Sequence, residues 1–261
     1  MDSLEQLACW VFNCDRTQLY MGDYEADEEK IEAFHEALDS YARGVPVQYI
    51  TGVTEFMGFE FDVNSSVLIP RPETEMLVER VLTLIEREGM ERPVILDLGT
   101  GSGAIAVSLT KMDPSCKIVA SDVSEEALEV ARGNSAANGI TEGIDFVVSD
   151  LFSRIPENAK FDIIISNPPY IPSEDYDSLP PEVKSEPRIA LDGGPKGLDY
   201  YRRIIPEASG RLKGGGFLVL EIGFGQTGDV RKIMELCGDY HRPEVIKDYN
   251  GIDRIMIAKR R

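Results

Sequence analysis

From residue 92 onward, short apolar runs alternate with longer stretches of helical spacing. The runs at 94–98, 118–121, 146–148, 161–166 and 217–222 are apolar at most positions, as strands covered on both faces are. The stretches from 103, over 124–139, 198–212 and 226–236 read as helices. Strand and helix alternating in this way predict βαβ units and an α/β fold built on a doubly wound sheet. The chain ends in a different rhythm. Val245-Ile246 and the run at 255–258 flank Asn250-Gly251, a turn dipeptide, so the last two strands are expected to form an antiparallel hairpin.

The first seventy residues follow other periods. Ser3 and Gln6 have capping-box spacing ahead of the apolar residues 7–12, which predicts a helix there with Trp10 in its buried face. Asp27 is the expected cap of a second helix, with Ile31, Phe34, Leu38 and Tyr41 on one side and Gly44 past its end. Phe59, Phe61 and Val63 then alternate with polar residues, and Asn64-Ser65-Ser66 forms a turn cluster before Val67-Leu68-Ile69. That predicts a small β-hairpin within 45–69. Pro72 opens a helix marked by Leu77, Val78, Val81, Leu84 and Ile85, with Glu73 and Glu75 at its positive end. The expected division is an N-terminal helical and β-hairpin domain over 1–70 and an α/β domain over 71–261, joined by a connecting helix over 71–92.

Composition narrows the function. A chain of 261 residues with 43% hydrophobic content has room for a sizeable core. Its net charge of −19 argues against nonspecific binding to nucleic acid, which depends on Lys and Arg neutralising phosphates, and leaves a basic protein partner open. Cys9, Cys14, Cys116 and Cys237 are scattered without a C-x-x-C pair, and the only histidines are His35 and His241, so spacing supports no metal site. No apolar run nears the ~20 residues that span a bilayer. The acidic start, Met1-Asp2-Ser3-Leu4-Glu5, is unlike a signal peptide. A cytoplasmic monomer is expected.

Chemistry is concentrated after two strands. The run at 161–166 stops at Asn167-Pro168-Pro169-Tyr170. The two prolines end the ladder, because neither has an N–H to donate. At the carboxyl edge of an open sheet, where ligands bind, the Asn167 side-chain oxygen and a neighbouring main-chain carbonyl could accept both hydrogens of a planar NH₂ group. Tyr170 could stack on its flat face. Such a site suits methylation of an amide or an exocyclic amine. Earlier, Asp97-Leu98-Gly99-Thr100-Gly101-Ser102-Gly103 joins the first parallel strand to its helix in G-x-G-x-G spacing, which differs from the dinucleotide-binding G-x-G-x-x-G. Asp97 could meet a cationic amino group and Asp122 ribose hydroxyls. At Asp150, the next strand end, Leu151 and Phe152 could flank an aromatic base. An amino group, a ribose and a base without phosphate describe S-adenosylmethionine, which these residues favour over NAD.

The chain resembles the bacterial release-factor glutamine methyltransferases, the HemK/PrmC family, from about residue 7 to the end. The resemblance is carried by Gly44-Val45-Pro46-Val47-Gln48-Tyr49-Ile50-Thr51-Gly52, by Val67-Leu68-Ile69-Pro70-Arg71-Pro72-Glu73-Thr74-Glu75 and by Asn167-Pro168-Pro169-Tyr170-Ile171. Glu186-Pro187, Gly193-Gly194, Gly197-Leu198-Asp199 and Glu221-Ile222-Gly223 add to it. It implies a seven-stranded catalytic domain behind a small N-terminal domain that meets the partner. The implied reaction moves a methyl group from S-adenosylmethionine to the glutamine of the Gly-Gly-Gln loop of class I release factors. The implied cofactor residues are Gly99, Thr100, Gly101, Ser102, Gly103 and Asp122, and residues 167–170 would hold the glutamine amide. Against the family pattern the N-terminus is expected to be short by about one leading helix, Leu151 stands where some members carry Trp, and Lys196 stands where an acid is frequent. Two rival substrates are a ribosomal-protein glutamine and, further off, adenine N6 of DNA or RNA. The acidic balance and the lack of a large basic recognition region weigh against direct nucleic-acid binding.

Overall fold

The computed structural model describes residues 2–261. Four helices come first: α1 (Ser3–Phe12), α2 (Arg16–Met21), α3 (Glu28–Ala42) and α4 (Val47–Thr51). Leu7, Ala37 and Val47 are buried where α1, α3 and α4 meet. The cap of α1 is Asp2 rather than Ser3. Its side chain accepts the Glu5 N–H at 2.9 Å, and Glu5 takes the Asp2 N–H in return. Both frames have capping-box spacing, and the acidic pair also complements the positive helix end. Trp10 is 48% exposed, so it is not a core residue. Asp27 caps α3 as expected.

The hairpin pairs β1 (Val53–Phe56) with β2 (Phe59–Asp62), and its turn is Met57-Gly58, both at positive φ. It therefore lies ahead of the expected Asn64-Ser65-Ser66 turn, and Val67-Leu68-Ile69 is not a strand. Met57 gave no turn signal. Its left-handed backbone is held from elsewhere, by Glu75 accepting the Met57 N–H at 2.6 Å. Glu75 belongs to α5 (Pro72–Glu88), the proline-opened helix.

Next come β3 (Val94–Leu98), α6 (Ala104–Met112), β4 (Lys117–Asp122), α7 (Glu125–Ala137), β5 (Ile144–Val148) and β6 (Phe161–Ser166). A 3-10 turn over Ser173–Ser178 and two single-turn helices, α8 (Pro181–Lys184) and α9 (Arg188–Leu191), fill the long loop. The chain ends with α10 (Asp199–Arg211), β7 (Leu212–Glu221), α11 (Thr227–Cys237), β8 (Glu244–Lys247) and β9 (Asp253–Lys259).

The seven strands lie in the order β5-β4-β3-β6-β7-β9-β8, with β9 antiparallel to β7 and β8. The rest of the ladder is parallel. Side chains alternate across it. Ile95, Ile163, Ile165 and Val219 face a core shared with α5 and α6. Leu96, Leu98, Ile164 and Leu218 face Tyr201, Ile204 and Ile205 of α10 and Val230 of α11. The chain winds outward from β3 to β5, then crosses back to lay β6 beside β3. The loops after β3 and β6 therefore diverge at a topological switch point, which opens a crevice at the carboxyl edge. No helix among the described residues is long and apolar enough to cross a membrane.

Candidate active site

A cleft of about 280 Å³ occupies that crevice. Gly99, Gly101, Asp122, Asp150, Leu151, Asn167, Pro168 and Pro169 line it, together with Val123 and Arg203. The glycine loop is drawn onto the next strand, because the Gly99 and Thr100 N–H groups both donate to the Ser121 carbonyl, at 2.8 and 2.9 Å. Gly99 and Gly101 have φ of 72° and 55°, and a Cβ added to either would meet nothing within 4 Å. Their open side is the cleft. Asp122 does not cap α7; Ser124 does, accepting the Ala127 N–H. Asp122 instead accepts Gly101 N–H at 2.9 Å and Ser124 N–H at 3.0 Å, one on each oxygen. Each oxygen keeps further acceptor capacity.

The other expected residues divide by depth. Thr100 and Ser102 are buried behind the loop. Gly103 sits against α7, where a Cβ would lie 3.0 Å from Ala131. Phe152 is 1% exposed and packs in the α10 side of the core, so it does not face the cleft. Leu151, at φ 50°, turns the chain and supplies an apolar wall. Asp150 pairs with Arg203 at 2.7 Å in an exposed ion pair of small energetic weight.

Asp97 is fully buried. One oxygen accepts the Thr100 hydroxyl at 2.7 Å, and the other makes no full hydrogen bond. Burial first, then the neighbouring Asp122, push its carboxyl up to about 7 against the pull of Thr100. Folding therefore takes up a proton between the ordinary value of 3.8 and about 7, and Asp97 costs stability as pH rises through that window. The melting temperature of Asp97→Asn, relative to wild type, should accordingly climb from about pH 4 to about pH 7 and then level off. A gap independent of pH would contradict the shift.

Asn167 lines both the cleft and a smaller cavity of about 90 Å³, as do Leu68, Pro168 and Ala190, and Arg71 and Tyr170 line the smaller cavity as well. That cavity shares Arg71 and Val183 with a groove of about 460 Å³ running between α1, α3, α4 and α8. The Asn167 Nδ2 donates to the Thr74 hydroxyl at 3.1 Å, and Thr74 donates to the buried Glu221 carboxylate at 2.7 Å. Burial and Glu221 push the Tyr170 phenol upward, so it stays neutral and donates towards Glu221 at 3.4 Å. The Tyr170 carbonyl accepts Gln226 Nε2 at 2.9 Å. Arg71 pairs with Glu186, whose carboxyl is raised by burial and has an oxygen without a partner.

Thr74 and Gln226 were not legible as site residues. Thr74 reads as a helix-start position, and its contact with Asn167 spans 93 residues. Glu221 did leave a trace: it is the one acid within the otherwise apolar run at 217–222.

Comparison with known proteins gives a consistent picture. Residues 72–178 match the methyltransferase small domain, and residues 2–52 match the PrmC N-terminal domain. A release factor glutamine methyltransferase of Moorella thermoacetica is 44% identical over 87% of this chain and 80% of its own length. Another, from Koribacter versatilis, is 41% identical over 99% and 90%. Among solved structures, a methyltransferase from Pyrococcus furiosus superposes with a TM-score of 0.55 at 21% identity, covering 78% of this chain and 89% of that one, which shows the shared fold.

Proposed function

Because the chain belongs to the release factor glutamine methyltransferase family, we propose that it methylates the side-chain nitrogen, N5, of the glutamine in the Gly-Gly-Gln motif of class I peptide-chain release factors, with S-adenosylmethionine as donor. The observation that carries this reading is the Asn167 amide. Its Nδ2 is engaged by Thr74, which leaves Oδ1 as an acceptor on a residue that lines both cavities. A glutamine amide in one cavity and a methyl donor in the other would meet there.

The residues present fit the donor. Gly99 and Gly101 let its main contacts approach the backbone, Asp122 offers acceptors to ribose hydroxyls, and Leu151 with Val123 gives a base apolar walls. Asp97 is buried and outside the cleft lining, and its oxygen without a partner would suit a cationic amino group. When bound, S-adenosylmethionine supplies a methyl group on a sulfonium that leaves as a neutral thioether. The chain's part is to make a poor nucleophile competent. An amide nitrogen holds its lone pair in resonance. Asn167 Oδ1 and a main-chain carbonyl of the Asn167-Pro168 turn accept its two hydrogens, which orients the lone pair and favours a tetrahedral nitrogen. Tyr170 packs on the flat face. The surplus proton leaves once the nitrogen has become acidic, so the chain need not provide a strong base.

The partner's loop would enter along the groove beside α1, α3 and α4, with residues 1–70 as the recognition unit and 71–261 as the catalytic one. Incubation with methyl-labelled S-adenosylmethionine and unmodified release factor should put label on the Gly-Gly-Gln glutamine, located by peptide mass spectrometry, and none on a Gln→Ala release factor. Label on a ribosomal protein or on nucleic acid offered in parallel would overturn the assignment. Asp97→Asn should weaken cofactor binding roughly 10-fold, the loss of one charge-assisted contact, as read by calorimetry. An unchanged Kd would remove Asp97 from the cofactor site.

A further inference from the structure

We propose that Thr74 and Glu221 are positioning residues for the methyl transfer, and that together they fix which end of the Asn167 amide faces the reacting nitrogen. The inference rests on the glutamine reading above. An asparagine side chain is nearly symmetric in shape but not in chemistry: one end accepts hydrogen bonds and the other donates. A site that must receive two N–H bonds works only with the oxygen outward, since an outward NH₂ would oppose the substrate's own hydrogens.

The chain Glu221, Thr74, Asn167 solves this by proton count. An ionised carboxylate only accepts. Thr74 has a single hydroxyl proton and gives it to Glu221 Oε2 at 2.7 Å. Its oxygen then has only lone pairs to offer Asn167, 3.1 Å away, and only Nδ2 can use them. The amide is locked with Oδ1 outward. Glu221 itself is fully buried at the end of β7 and does not line the cleft. It is held in place from several sides. Tyr201 of α10 donates to its main-chain carbonyl at 2.9 Å, and Tyr170 points its hydroxyl at Oε1.

Protonating Glu221 would undo the lock. A neutral carboxyl can donate to Thr74, freeing the threonine proton for Asn167 and allowing the amide to turn over. The groups acting on this carboxyl are Thr74 and Glu73 of α5, Tyr170 after β6 and Arg254 of β9, itself paired with Asp248 at 3.3 Å. Burial is the largest influence and, with Glu73, raises the carboxyl; Thr74, Arg254 and Tyr170 oppose it, leaving it at about 7. Turnover should therefore fall as pH drops below about 7.

The test uses the full chain at saturating cofactor and substrate, so that cofactor affinity does not enter. Thr74→Val, equal in shape and lacking the hydroxyl, should lower kcat roughly 10- to 100-fold, leave KM and cofactor Kd within a few-fold and flatten the acid limb. Thr74→Ser should recover most of the turnover. Glu221→Gln, whose NH₂ can donate to Thr74 as a protonated carboxyl can, should lower turnover above pH 7 towards the wild-type level at acid pH and lose the acid limb. Unchanged kcat in Thr74→Val, or an acid limb that persists in both Thr74→Val and Glu221→Gln, would overturn the proposal. A second readout needs no turnover: hydrogen exchange of the Asn167 side-chain NH₂, followed by NMR, should be slow in wild type and fast in Thr74→Val. Equal exchange rates would also overturn it. Wild-type protein that leaves the release factor unlabelled would instead count against the glutamine reading, with the lock still judged by exchange.

Discussion

Asn167→Ala is expected to reduce methyl transfer by about 10³-fold or more, the scale seen when a group aimed at the reacting centre is removed, while S-adenosylmethionine still binds. The substitution removes the acceptor that orients the substrate nitrogen and leaves the glycine loop and Asp122 untouched, since neither bonds to the Asn167 side chain. It therefore separates binding from chemistry. Asn167→Asp should fail nearly as badly for a different reason. An aspartate offers acceptors towards the substrate but has no NH₂ for Thr74, so two carboxylates would bracket one hydroxyl proton, with the Glu221 carboxylate already claiming it at 2.7 Å. Single-turnover assays with labelled cofactor, alongside calorimetric Kd values, check both variants. Turnover of Asn167→Ala near the wild-type rate would show that the nitrogen is oriented by something other than this amide.

The elements legible in the sequence were those whose signal is local. The runs at 94–98 and 161–166 coincide with β3 and β6, because buried parallel strands are apolar on both faces and because Gly99 and Pro168 end them sharply. What escaped depends on distant partners. The helix α2 buries none of its side chains, so no apolar stripe announced it. The strand β7 begins at Leu212, five residues earlier than its apolar run, since Lys213-Gly214-Gly215-Gly216 can continue an extended backbone without presenting a hydrophobic side chain. Asn167 and Asp122 are legible as cleft-lining positions because a place at a strand end carries meaning by itself. Sequence gives the position of Phe152 after β5 but not the direction of its ring, which follows the left-handed Leu151 into the core. Thr74 was invisible for a third reason: its role exists only once α5, β6 and β7 converge.

The same dependence on distant partners makes Gly197 a strong test of how the site is held. Gly197→Ala should destabilise the protein by about 2–4 kcal/mol and lower turnover by about 10²-fold, although residue 197 does not line the cleft. At φ 66° an added Cβ would lie 2.1 Å from the Tyr170 carbonyl oxygen and 2.6 Å from Gln226 Nε2. Main chain cannot rotate out of the way as a side-chain tip can, so Tyr170 itself must shift. That shift breaks the 2.9 Å bond from Gln226 and moves Tyr170, whose phenol faces Glu221 and which lines the small cavity together with Asn167. Gly225 is the control. It has a φ of 77°, yet a Cβ there would meet nothing within 4 Å. Gly225→Ala therefore carries only the backbone cost, about 1 kcal/mol, with turnover close to wild type. Urea unfolding and turnover, measured on both variants, distinguish the two cases. Equal losses in both would mean that only the left-handed backbone matters at residue 197; a much larger loss at Gly197 would show that close packing of the 193–197 loop holds the Asn167-Pro168-Pro169-Tyr170 turn in its working position.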